Sequence, residues 1–105
     1  MTIEKLKELG WKYDSMWNNR MFYSLSEESK YAIFEHNGDC GLLDPFKKNF
    51  TLIYCNLTDN EIVTFTELVK EIENIIYNPK DHTLYEYMVT GHKMSNFCEE
   101  MEKRS

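Results

Sequence analysis

Three histidines and three cysteines are the residues of this chain best suited to chemistry. His36 and Cys40 are close, separated only by Asn37-Gly38-Asp39, whereas Cys55, His82, His92 and Cys98 stand apart. A structural zinc site takes paired ligands at short spacing, such as Cys-x-x-Cys with a second pair further on. One close pair without a second does not make that pattern, so no metal is expected. A Cys–His nucleophile needs a thiolate, stabilised for instance by a helix N-terminus. Cys40 lies between Asp39 and Gly41, where a loop is expected instead. No serine is framed as Gly-x-Ser-x-Gly, and the four glycines form no phosphate-binding loop. The adjacent carboxylates Glu27-Glu28 and Glu99-Glu100 fit a solvated surface. These residue types predict a protein that binds without catalysing, and no cofactor.

The aromatic residues point to where it binds. Of fifteen Phe, Trp and Tyr, seven (Trp11, Tyr13, Trp17, Phe22, Tyr23, Tyr31 and Phe34) fall within 24 positions. A small sheet builds its core from such residues, since each buries a large area. Trp17 is the exception, because it lies between Met16 and Asn18 where a turn is expected. Trp17 with Met16 and Arg20 has the composition of a binding hot spot. The second candidate surface is acidic. Residues 1–56 carry seven Lys/Arg against eight Asp/Glu, and residues 57–105 carry five against ten, so the net charge of −6 belongs mainly to the second half. Glu67, Glu71 and Glu73, with Glu99 and Glu100, are the acidic candidates for a partner surface. Clustered Lys and Arg, which phosphate contacts require, are missing, so direct nucleic-acid binding is not expected. A basic or nucleic-acid-binding protein partner suits the charge better.

The elements that must position these residues make an α+β fold in one domain of 105 residues. Thr2 to Leu9 reads as a short helix, capped by Thr2 and stopped by Gly10. Period-two alternation then predicts an antiparallel meander of four to six strands, with turn chemistry at Asn18-Asn19 and Asn37-Gly38 and a further strand over Phe50 to Cys55. The stretch after it has two readings. Thr58-Asp59-Asn60-Glu61 fits a capping box, with Leu57 and Ile62 as a hydrophobic staple, starting a helix at Asp59. The β-branched and aromatic run Glu61 to Thr66 instead favours a strand of a hairpin, the helix opening later at the second box, Thr64-x-x-Glu67. The hairpin is the preferred reading. Residues 67–77 are helical on either, because Leu68, Val69, Ile72, Ile75 and Ile76 form one apolar stripe. Asn78-Pro79 ends that helix. From Asp81 onward, one broken helix or two short ones around Gly91 fit the spacing, ending in a frayed, solvated Glu99 to Arg104.

No segment has the roughly 18 consecutive apolar residues of a membrane span. The odd, widely spaced cysteines suit a reducing cytosol. In its shortness, its Asn/Lys/Glu/Ile/Tyr-rich composition, its Leu9-Gly10-Trp11-Lys12-Tyr13 junction and its Ile62-Val63-Thr64-Phe65-Thr66-Glu67-Leu68 segment, the chain resembles small accessory proteins of phages and mobile elements, of the anti-CRISPR type. That resemblance implies stoichiometric inhibition of a bacterial nuclease complex by surface binding, in the cytoplasm of a bacterial host. No residue-level motif carries the likeness, so it assigns no site residues. An immunity or antitoxin-type protein and a small-ligand binder are the alternatives, and a homodimer is compatible with all three.

Overall fold

The computed structural model describes residues 2–46 and 51–104. The Thr2 side chain and Phe50, to which the sequence assigns a cap and a strand start, lie outside the described residues. Helix α1 (Thr2–Glu8) ends in a Schellman motif. Trp11 N donates to Leu6 O at 2.9 Å and Gly10 N to Lys7 O at 3.1 Å. Gly10 sits at φ 98°, a conformation open to glycine because it has no Cβ. The motif turns Trp11 back into the core beside Leu6, and both are almost fully buried.

Among the described residues five strands follow, β1 (Lys12–Trp17), β2 (Arg20–Ser24), β3 (Ile33–His36), β4 (Asp39–Leu43) and β5 (Leu52–Ile53). They pair in sequence order as an antiparallel meander, as the alternation predicts. Both tight turns use asparagine in the left-handed region, at Asn18 and Asn19 and at Asn37 before Gly38. Paired positive φ values match the twist of two-residue hairpins. Trp17 is therefore the last residue of β1 and not part of the turn.

Residues 59–65 are helical, which corrects the preferred hairpin reading. Helix α2 runs over Asp59–Tyr77, eight residues longer at its start than the 67–77 stripe. The capping box at Thr58 and Glu61 is formed in both directions. Tertiary contact overrides β-propensity here. In a helix Ile62, Phe65, Thr66, Val69 and Ile72 fall on one face and all are buried, whereas a strand would split Phe65 from Ile62 and Thr66. The would-be second cap, Thr64, instead bonds back to Asn60 O at 3.0 Å within the helix.

A 3₁₀ turn at Pro79–Asp81 leads into α3 (Leu84–Arg104), which passes unbroken through Gly91 and packs along α2. Its C-terminus is anchored and not frayed. Met101 is buried, and Arg104 reaches Glu61 at the start of α2 and the Cys55 carbonyl. The core lies between the helices and one face of the sheet, where Tyr23, Ile33, Leu42 and Ile53 meet Phe65, Val69, Met94 and Cys98. Among the described residues no helix is long and apolar enough to cross a membrane.

Candidate functional site

Strand register decides which side chains share the other face of the sheet. Phe22 pairs with Phe34, Phe34 with Gly41, and Trp17 with Arg20. Alternation then puts Trp17, Arg20, Phe22, Phe34 and Tyr54 on the face turned away from the helices. Gly41 is the floor of this arrangement. A Cβ there would stand 2.5 Å from the Phe34 ring, so the glycine lets that ring lie flat against the strand. Tyr54 meets Phe34 edge-on at 5.0 Å, and Phe22 lies 6.2 Å from Phe34 on the other side. These geometries suit the quadrupoles of aromatic rings.

Arg20 completes the group. Its guanidinium carbon lies 5.3 Å from the Tyr54 ring centroid, Nε donates to Tyr54 Oη at 2.5 Å, and Nη1 donates to Asn18 O at 2.6 Å. The cation is held by a ring face and two acceptors while remaining accessible. Trp17 stands directly across the hairpin with 54% of its surface exposed. A shallow cavity of about 130 Å³ opens beside the group, lined by Phe34, His36, Asn37, Asp39, Gly41 and Tyr54 among others.

The structure brings together some of the candidates and separates the rest. Met16 is exposed but pairs with Met21, so it projects to the opposite face from Trp17. Glu67 and Glu71 lie one turn apart on α2. Glu71 is engaged across the helix pair, accepting from Thr90 Oγ1 at 3.2 Å and lying 4.0 Å from Lys93 Nζ. Glu100 falls two turns beyond Lys93 on the same line of α3, so it borders the same seam. Glu73 points about 200° away around α2 from Glu71. It is half-buried and, after burial itself, is the main influence raising the Tyr31 phenol above its ordinary range. Glu99 is exposed and lies about 100° from Glu100. The acidic seam thus belongs to the helical layer and the Trp17–Arg20 group to the sheet layer.

His36 and Cys40 are sent to opposite faces, His36 pairing with Asp39 on the outer side and Cys40 with Glu35 on the core side. Among the described residues no three His, Cys, Asp or Glu side chains converge. Two features escaped the sequence reading. The sequence shows Tyr54 only as part of a strand, and its role depends on Gly41 lying two strands from Phe22, which no local pattern shows. The end of the α2–α3 hairpin exposes Ile76, Tyr77, Leu84, Tyr85, Tyr87 and Met88. Their helical spacing is the same whether or not a sheet lies beneath them. The chain matches no protein-family model, no curated protein and no solved structure.

Proposed function

We propose that this protein is a binding module that acts by occupying the surface of a protein partner, as do the stoichiometric inhibitors of the anti-CRISPR type that it resembles. The observation that carries this reading is the Trp17–Arg20–Tyr54 group on the outer face of the sheet. Trp, Tyr and Arg are the residues in which interface energy concentrates. Arg20 is already held by Tyr54 and Asn18, so docking against it loses little side-chain freedom. The acidic seam of Glu67, Glu71 and Glu100 speeds the approach of a basic partner and adds little to the lifetime of the complex.

The test is capture of partners from a bacterial host lysate by tagged wild-type and Trp17→Ala protein, at low and high salt, read by mass spectrometry. A single basic or nucleic-acid-guided effector, retained stoichiometrically by the wild type, is expected. Trp17→Ala should weaken that complex by roughly a hundredfold, the loss seen for a central anchor, with unfolding unchanged. Reversing the charge of Glu67 and Glu71 should slow association and remove part of the salt dependence. Retention of the same partner by Trp17→Ala at wild-type affinity overturns the reading.

A further inference from the structure

The cavity beside the Tyr54 ring holds about 130 Å³. Small-molecule sites run from roughly 300 to 1,000 Å³, so this one suits a single side chain. Phe34, Gly41 and Tyr54 give it an apolar wall, and Asn37, Asp39 and Asn56 give it a polar one. His36, also in the lining, is braced at both ring nitrogens. Asn19 O lies 3.4 Å from Nδ1 and Asn37 Nδ2 lies 3.3 Å from Nε2, contacts that one donor and one acceptor of a neutral imidazole satisfy. Asp39 is then the one charged residue of the lining. It is exposed, and among the described residues its carboxylate has no hydrogen bond or ion pair.

The backbone holds the cavity open. Asn18, Asn19 and Asn37 adopt positive φ to make the hairpin turns, but Asn56, at φ 47°, stands where the chain leaves β5. Strained residues of this kind gather at binding sites. Leu57 N donates to Cys40 O at 2.8 Å, which ties the segment back to β4 beside the cavity. Gly41 contributes by lacking a Cβ, since that atom would meet the Phe34 ring at 2.5 Å.

We propose that this cavity receives one basic side chain, lysine or arginine, of a protein partner, an assignment that rests on the binding-module reading above. Both side chains carry a long apolar stem and a cationic head. The stem fits along Phe34 and Tyr54 while the head reaches Asp39. An acidic side chain would be repelled by Asp39, and a purely apolar one would gain nothing from it. Arg20 lies against Tyr54 outside the lining, and β2 and β4 are two strands apart, about 10 Å. A cation drawn to Asp39 therefore sits on the side of the cavity away from Arg20.

The test is an NMR titration of the isotope-labelled full chain with the N-acetyl methylamides of lysine, arginine and norleucine, at constant ionic strength. Saturable shifts at the backbone amides of Asp39, Gly41 and Asn56 are expected with at least one basic probe, at a millimolar dissociation constant. The norleucine probe has the stem without the head and should bind roughly fivefold more weakly, as should the basic probe to Asp39→Asn. Asp39→Asn removes no side-chain contact within the described chain, and circular dichroism should show it folded. No saturable shift at these amides, or equal binding by norleucine and by Asp39→Asn, overturns the proposal. The probes need no partner, so their failure strikes the cavity alone, whereas capture by Trp17→Ala strikes the binding-module reading.

Discussion

The indole Nε1 of Trp11 donates to Oγ1 of Thr66 at 2.8 Å, joining two buried residues 55 positions apart. Thr66 Oγ1 in turn donates to Ile62 O at 2.6 Å, so one hydroxyl satisfies the indole and a helix carbonyl together. Trp11 also stacks on Phe65 at 5.9 Å. The end of α1 thereby selects the helical register of residues 62–66. Thr66→Val keeps the shape and strands the indole N–H, and should destabilise the fold by about 1–3 kcal/mol in urea titration. Thr66→Ser should restore most of the loss.

Gly41 carries the outer face of the sheet. A Cβ there would collide with the Ile53 carbonyl oxygen as well as the Phe34 ring, and the carbonyl is backbone that cannot rotate aside. Gly41→Ala is expected to destabilise by about 2–3 kcal/mol. In the variant that still folds, partner binding through Arg20 and Tyr54 should fall with it.

Glu61 joins the two ends of the helical layer. Its carboxylate accepts from Thr58 N at 2.9 Å and from Arg104 Nη2 at 2.7 Å. The Arg104 hydrogen bond, aided by those from Thr58, holds its pKa down from 4.5 to about 2. A depressed carboxylate pKa adds stability that is complete above the unfolded value and lost as pH falls from about 4.5 towards 2. Solvent screens the partly exposed Arg104, so the contribution is about 1 kcal/mol. Glu61→Gln should lower stability by that amount at pH 7 and by little at pH 2, measured by urea unfolding at both.

Cys40, Cys55 and Cys98 are buried. Burial pushes the Cys98 thiol up to about 12 and raises that of Cys55, against the lowering effect of Arg104. Thiolate is the reactive form. Native protein at pH 8 should therefore react slowly with a thiol reagent such as Ellman's, and unfolding in denaturant should release three equivalents promptly. Rapid reaction of any one in the native state would contradict this burial.

What the sequence by itself determined is what local physics determines. Asn18-Asn19 and Asn37-Gly38 supply positive φ, Gly10 ends α1, and period-two alternation makes the meander. The stripe Leu68 to Ile76 makes the helix whatever precedes it. Local physics favoured a strand at residues 59–66, where β-branched residues compete with a capping box. Packing against Trp11 settled it, because only a helix puts Ile62, Phe65 and Thr66 on one buried face. The candidate site divides in the same way. Trp17 and Arg20 were legible as an exposed aromatic and a cation close in sequence. Their joining to Tyr54 over Phe34 and Gly41 was not, since it depends on the register of strands β2 to β5. The acidic residues were visible as a count, but the helix pair alone placed Glu71 against Lys93 and turned Glu73 towards Tyr31. The exposure of Leu84, Tyr87 and Met88 on α3 was decided by tertiary structure alone, because a helix has the same apolar period where something covers it and where nothing does.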